Sequence, residues 1–373
     1  MVVKLLNALI AEACDLKASD IHIDPTEQGL RVRLRIDGAL RDTQDLPPNI
    51  GDEIISRIKI LASLRTDEHQ AAQDGRFRLS LSRTKTIDIR VSIVPTYYGE
   101  NAVLRLLADQ AENFTLEALG FNAENRDKII QSTARGGMIL ATGPTGSGKT
   151  TTLYTLLKIL NTPEVSIVTI EDPIEYAIPG IEQIQVNERT SLNFSSGLRS
   201  ILRQDPDIIM VGEIRDLETA GIAINTALTG HLLLSTLHTS DAATTLPRLL
   251  DMKIEPFLVA STVSLVLSQR LVRRVCQNCR EQTQLGSGEW ASTISKGRGC
   301  EECKQSGYRG RISINEVLVV NDEIREAILA KVPASELKKL AASQGMATIT
   351  EDGRRKIIEG LTTPEEVLRV AHD

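Results

Sequence analysis

Residues 2–14 carry apolar side chains at intervals of three and four, the pattern of an amphipathic helix, and Cys14 within it reads as a small buried apolar residue. Alternation of period two then takes over. Ile21–Asp24, Leu30–Gly38, Arg76–Leu81 and Ile87–Ile93 are predicted strands with one buried face, and Ile50–Leu64 is a second predicted helix. Together these predict a compact α+β domain over 1–107, followed by a linker over 108–118. From Leu119 the pattern changes. Met138–Thr142, Val165–Ile170, Ile208–Val211 and Leu232–Leu237 are apolar on both faces and alternate with helical segments. Strands of that kind belong in a buried, largely parallel sheet, so 119–373 is predicted to be an α/β domain. A cysteine-bearing insert is expected over 273–309, and 310–373 reads as a set of short helices.

Composition narrows the picture without changing it. The 373 residues are 41% apolar, with a net charge of −6, and residues 1–107 hold 15 basic and 15 acidic side chains. That balance disfavours a basic nucleic-acid-binding protein. The amino-terminal apolar stretch is interrupted by Lys4 and Glu12 and lacks a cleavage site, so it is no signal peptide. The longest apolar run, Phe257–Leu267, is far short of the roughly 20 residues that span a bilayer. A soluble protein is expected, with any membrane contact made through a partner.

The chemistry is concentrated between residues 138 and 303. Gly143, Pro144, Thr145, Gly146, Ser147, Gly148, Lys149, Thr150 and Thr151 fit G-x-x-x-x-G-K-[ST], between a predicted strand and a predicted helix. Glycines let backbone N–H groups close around a polyphosphate, and the helix N-terminus adds positive potential. Lys149 is expected to reach the β- and γ-phosphates of ATP and Thr150 to hold Mg²⁺. The strand Ile208–Val211 leads to Glu213, a carboxylate placed to orient or deprotonate water, although Gly212 stands where an acidic residue usually precedes it. A third segment, Val168–Tyr176, ends a strand in carboxylates, and either Glu171 or Asp172 is a candidate to face Mg²⁺ or the water. His231 and His238 flank Leu232–Leu237. His238, at the carboxyl end, is read as a γ-phosphate sensor, and His231 as a hydrogen-bonded structural residue.

Cys276, Cys279, Cys300 and Cys303 follow C-x₂-C-x₂₀-C-x₂-C, a zinc pattern. Four thiolates leave no open coordination position, so a Zn²⁺ there would be structural. Arg199 and Arg203 share one helical face, and Arg76 and Arg90 lie on predicted strands of the first domain. A strand arginine that crosses an interface can act as an arginine finger.

The order of these motifs resembles the type II secretion and type IV pilus assembly ATPases, hexameric RecA-like motors. The residues that carry the resemblance include Ser19–Ile23, Arg35–Gly38, Gln73–Arg76, the P-loop, Ile170–Glu175, Leu202–Asp207, Gly212–Asp216, Thr229–His231, Leu237–Thr239, the four cysteines and Gly307–Arg311. The resemblance implies a RecA-like P-loop domain, a smaller PAS-like α+β domain ahead of it, and a zinc insert held by the four cysteines. It implies that Glu213 is the Walker B carboxylate and that Glu171 lies in an acidic box. His231 and His238 would form a histidine box, and Arg76, Arg90, Arg199 and Arg203 would surround the triphosphate between the two domains. It implies a homo-hexamer at the cytoplasmic face of the inner membrane that drives a platform protein, with no nucleic acid. Closure of the first domain on ATP binding would be the stroke. Family members usually carry a further amino-terminal domain, and this sequence starts after it. Retraction ATPases generally lack the cysteine insert, so assembly is the expected direction. The alternative is a DNA-handling motor of the conjugation or helicase type.

Overall fold

The period-two segments become strands, and polar residues also pair where no alternation is visible. The computed structural model describes residues 1–81, 86–107, 114–284 and 293–371, in two units, Met1–Asn113 and Phe114–Asp373. In the first, α1 (Val2–Asp15) precedes β1 (Asp20–Thr26), β2 (Gly29–Ile36) and β3 (Ala39–Leu46). Then come α2 (Pro48–Leu61), β4 (Gln73–Ser80), β5 (Thr86–Thr96) and β6 (Gly99–Leu107). The strands form an antiparallel sheet in the order β3-β2-β1-β6-β5-β4. Leu6, Leu9, Ile10 and Ala13 of α1 and Ile54 and Ile58 of α2 pack against Ile21, Val32, Leu34, Ile89, Val91 and Leu104. The helices therefore cover one face, and the alternate strand residues form the other. β3 was not foreseen. Its segment Arg41–Asp45 is polar and exposed, as an edge strand tolerates. β6 was also missed, because Ala102-Val103-Leu104-Arg105-Leu106 suits a helix equally well. Of the linker expected over 108–118, residues 108–113 lie outside the described residues.

In the second unit, α3 (Leu116–Leu119) and α4 (Ala123–Arg135) lead to β7 (Gly137–Thr142) and α5 (Lys149–Leu160). β8 (Ile167–Glu171), β9 (Glu182–Gln185), α6 (Phe194–Ile201), β10 (Ile208–Val211), α7 (Leu217–Leu228) and β11 (Leu232–Leu237) follow. Next are α8 (Ala242–Asp251), α9 (Pro256–Thr262) and β12 (Val263–Val275). The sheet order is β15-β12-β7-β11-β10-β8-β9, in which β15 (Tyr308–Val319) is antiparallel to β12 and every other neighbouring pair is parallel. Two apolar layers cover its faces. One holds Tyr154, Leu156 and Leu157 of α5; the other holds Leu198 and Ile201 of α6, Ile224 of α7 and Leu246 of α8.

The carboxyl-terminal region corrects the expectation of helices alone over 310–373. Residues 312–319, Ile-Ser-Ile-Asn-Glu-Val-Leu-Val, are β-branched and apolar enough to pair with β12 along its whole length. Glu316 in their midst is fully buried and accepts hydrogen bonds from the backbone of Ala242 and Ile349, which hid the strand pattern. The helices follow as α10 (Asp322–Leu329), α11 (Ala334–Ser343), α12 (Ile349–Ile358) and α13 (Pro364–Ala371). The β12–β15 ribbon bears at its end the two-stranded hairpin β13 (Arg280–Gln284) and β14 (Thr293–Gly297); residues 285–292 lie outside the described residues.

An ion-pair cluster fastens α13 to this ribbon. Glu366 accepts Arg273 Nη2 at 2.6 Å, the Arg273 amide at 2.9 Å and Arg369 Nη2 at 2.8 Å. Burial pushes its pKa up, but the hydrogen bonds from Arg273 and Arg369 overcome this and hold it at about 2, against an ordinary 4.5. The folded value lies below the unfolded one, so the group stabilises the fold above pH 4.5 and loses that contribution as pH falls toward 2. Glu366→Gln is expected to cost about 3 kcal/mol at pH 7, with the difference from wild type vanishing at low pH. Urea unfolding across that pH range measures it, and a difference independent of pH would refute the assignment.

Candidate functional site

Parallel pairing delivers several strand ends to one edge. β7 and β11 pair with Thr142 opposite Leu237, β10 and β11 with Val211 opposite Ser235, and β10 and β8 with Val211 opposite Ile170. The segments leaving those ends are the P-loop, Gly212–Arg215, His238–Ser240 and Asp172–Tyr176. Thr142 Oγ1 donates to the Thr239 carbonyl at 3.1 Å and accepts the Thr239 amide at 3.1 Å, which holds the His238 segment against the start of the P-loop.

The loop needs its glycines for stated reasons. Gly143 has φ +135°, and a Cβ there would lie 2.4 Å from the Gln269 carbonyl oxygen of β12. Gly148, at φ +93°, is the left-handed cap of α5. Lys149 is buried, and its Nζ donates to the loop's own carbonyls, Gly143 O at 2.7 Å and Pro144 O at 3.0 Å. Burial lowers its pKa to about 8, Glu213 opposes that shift and Arg270 adds to it. The Ser147 hydroxyl is buried without a hydrogen-bond partner. A loop with left-handed glycines, an ammonium resting on carbonyls and an unsatisfied hydroxyl fits a polyphosphate ligand.

Glu213 is the meeting point of the second element. Its carboxylate accepts Arg215 Nη2 at 2.5 Å and lies 3.3 Å from His238 Nε2. The structure thus brings Lys149, Glu213 and His238 together. It adds Arg215 and Arg270, which the sequence reading passed over. The Arg270 guanidinium donates to the Ser240 carbonyl at 3.2 Å, and neighbouring Gln269 donates to Thr152 of α5 at 2.9 Å. The signal was present: Ser268-Gln269-Arg270 interrupts an otherwise apolar strand.

Other expected residues lie elsewhere. His231 precedes β11, whose opposite end reaches the site, roughly 17 Å away at the strand rise. Its Nδ1 lies 3.1 Å from Thr229 Oγ1 and 3.2 Å from the Thr226 carbonyl, so within this chain it finishes the turn after α7. The Glu171 carboxylate is buried toward α5, where it accepts the Tyr154 hydroxyl, Thr169 Oγ1 at 2.6 Å and Gln183 Nε2 at 3.2 Å. Asp172 is the exposed member of that pair. Arg199 pairs with Glu218 at 2.7 Å, and Arg203 donates to the Arg199 carbonyl at 2.9 Å, both on the exposed side of α6. In the first unit, Arg76 of β4 stands directly opposite Arg90 of β5, and Arg90 opposite Arg105 of β6. Asp20 of β1 holds Arg105 Nε at 3.1 Å. The row lies on the face that α1 and α2 leave uncovered.

The cysteines form a second site. Their four sulfurs all lie within 4.8 Å of one another. Cys276 and Cys300 are 3.8 Å apart, Cys279 and Cys303 3.8 Å, and Cys300 and Cys303 3.6 Å. These separations exclude disulfides and approach the edge of a sulfur tetrahedron about Zn²⁺, about 3.8 Å for a 2.3 Å bond. The Cys300 and Gly307 amides donate to Cys303 Sγ at 3.2 and 3.3 Å, the outer hydrogen bonds a thiolate ligand takes.

The model of the family described as type II/IV secretion system protein matches residues 1–369. The chain belongs to that family. It is 49% identical over 375 residues to the type II secretion system protein HxcR of Pseudomonas aeruginosa, covering 100% of this chain and 78% of that protein. It is 48% identical to the type IV pilus assembly ATPase PilB of Thermus thermophilus, over 98% of this chain and 42% of the other. Among solved structures it resembles the pilus retraction motor PilT with bound ADP, at 28% identity and a TM-score of 0.68, covering 98% of this chain and 97% of that one. The chain is therefore a secretion-family ATPase, with the RecA-like and smaller α+β domains that the motifs implied. These relatives favour a secretion or pilus motor over a DNA-handling one. Among the described residues no helix is long and apolar enough to cross a membrane.

Gly143→Ala is expected to abolish nucleotide binding, because the added carbon meets the Gln269 backbone and the left-handed conformation is lost; the cost is of order 1–3 kcal/mol. Titration with a fluorescent ATP analogue tests this, and a binding constant within about twofold of wild type would refute it.

Proposed function

We propose that the chain is the ATP-hydrolysing subunit of a hexameric ring that powers type II secretion or type IV pilus assembly. The observation that supports this best is the convergence of Lys149, Glu213 and His238 at one sheet edge. In this reading the P-loop amides and Lys149 bind the β- and γ-phosphates, and Thr150 holds the Mg²⁺ that ATP brings. Glu213 accepts a proton from the attacking water, His238 contacts the γ-phosphate, and Arg215 holds the Glu213 carboxylate in place. Arg76 and Arg90, adjacent on an exposed sheet face, offer two guanidinium groups to phosphate oxygens. Arg199 and Arg203 would act only by exchanging their present partners for nucleotide. Its place would be the cytoplasmic face of the inner membrane, held there by a platform protein.

Lys149→Ala is expected to abolish ATP turnover and binding, and Glu213→Gln to lower kcat by about 10²–10⁴ while leaving binding intact. Turnover should rise with protein concentration as six-membered rings appear by negative-stain microscopy. Concentration-independent turnover by a monomer would overturn the ring.

The cysteine cluster is proposed to hold one structural Zn²⁺ on Cys276, Cys279, Cys300 and Cys303. Its ligand bonds would close a hairpin that has little apolar core beyond the sulfurs themselves. Elemental analysis should find close to one zinc per chain, lost in Cys276→Ser together with Cys300→Ser, with a lowered unfolding midpoint. Metal-free protein with an unchanged midpoint would refute this.

A further inference from the structure

Tyr154 is the largest fully buried side chain of the protein, and it sits in the second turn of the phosphate-binding helix, five residues after Lys149. Its hydroxyl is saturated. It donates to Glu171 Oε2 and accepts the Glu175 amide at 3.3 Å and Gln183 Nε2 at 3.4 Å. Gln183 also donates to Glu171 Oε1 and to the Tyr176 carbonyl, both at 3.2 Å, and accepts the Ile178 amide at 2.7 Å. The Tyr154 ring meets the Tyr176 ring edge-on, centroids 4.7 Å apart. The whole turn after β8 is therefore wrapped around one phenol.

That turn touches the acid. The Gly212 amide donates to the Ile170 carbonyl at 2.8 Å, and a Cβ on Gly212 would lie 3.3 Å from the Glu171 Cα. Gly212 is the residue before Glu213. Asp172 acts through space on Arg215, the partner of Glu213. A continuous path thus runs from Lys149 along α5 to Tyr154, through Glu171 to the 171–172 backbone, and from there to Gly212 and Glu213.

We propose that Tyr154 and Glu171 are positioning residues: their hydrogen bond fixes the P-loop helix relative to Glu213, and Glu171 contributes no proton transfer or metal ligation of its own. This rests on the assignment of Glu213 as the acid–base residue. Glu171 is turned away from the phosphate-binding edge, and its carboxylate oxygens are taken by Tyr154, Thr169 and Gln183. Burial also raises its pKa, against the requirement of a metal-binding carboxylate. A misplacement of about 1 Å between nucleotide and base costs up to about 10²-fold in rate, so the bond matters for turnover more than for binding.

The test compares Tyr154→Phe, Glu171→Gln and Glu171→Ala in the full chain, with kcat, KM for ATP and the binding constant of an ATP analogue measured well below each unfolding midpoint. Gln can keep the network, since its oxygen accepts from Thr169 and Gln183 while its amide donates to the Tyr154 hydroxyl. Tyr154→Phe should lower kcat by about fivefold or more with binding changed less than about twofold, and Glu171→Ala should do the same. Glu171→Gln should keep more than about a tenth of wild-type kcat. A larger loss in Glu171→Gln with binding intact would make Glu171 catalytic and overturn the proposal. So would a Tyr154→Phe variant with unaltered kcat, or one whose binding weakens in proportion. Failure of the Glu213 assignment reads differently: Glu213→Gln would then turn over ATP at the wild-type rate.

Discussion

Parallel hydrogen bonding from β7 through β11 and β10 to β8 is the constraint on which the site depends. A parallel sheet has all its carboxyl ends on one edge, so groups separated by many tens of residues emerge together without any loop having to search for them. Thr142, Val211, Leu237 and Glu171 end four such strands. Their neighbours in sequence, Lys149, Glu213 and His238, therefore share a neighbourhood that the strand register sets. The side-chain hydrogen bonds of Ser235 to the Val211 carbonyl, 2.7 Å, and of Thr236 to the Gly212 carbonyl, 2.8 Å, tighten that register at the edge where it matters.

The same logic explains what could be read from the chain. Fully apolar runs such as Leu232–Leu237 and Ile208–Val211 have one physical solution, a strand covered on both faces, and the structure gives them the expected bounds. The P-loop was legible because its glycines answer a backbone requirement independent of the rest of the fold. Direction along a strand was not legible for His231 and His238, which look equivalent in sequence yet lie at opposite ends of β11. Nor was the inward turn of Glu171, which requires a phenol contributed by a different element. β15 was hidden by Glu316, a carboxylate whose burial is made tolerable by two backbone amides and by Lys338 at 3.3 Å. A residue such as this contradicts the pattern around it, and only its partners in space explain it.

Buried ions recur wherever one element must be fixed to another. Lys59 of α2, fully buried, reaches Glu100 of β6 at 2.7 Å; Lys356 and Asp352 of α12 pair at 2.5 Å beneath β15. A buried pair adds little net stability over an apolar contact, but breaking it is costly, so each acts as a registration device more than as a source of stability. Lys338 illustrates this in α11: it bridges Glu316 of β15 and Asp241, the cap of α8, and so ties the carboxyl-terminal helices to the segment that follows His238.

Gly212 shows how packing limits the chemistry. Its position precedes Glu213, and there the β8 and β10 backbones run so close that even a Cβ would press on Glu171 Cα and the Ile170 carbonyl, both at 3.3 Å. An aspartate there would have to separate two fully buried strands. With that position closed and Glu171 committed to Tyr154, the edge keeps a single ordered acid. Glu213 is that acid, and it is held on both sides, by Arg215 and by His238. Its orientation is thus set by side chains from its own loop and from the neighbouring strand, while its depth is set by how tightly β8 is drawn toward the P-loop helix. The close approach that excludes a second carboxylate therefore also makes the remaining one sensitive to the position of the helix that binds phosphate.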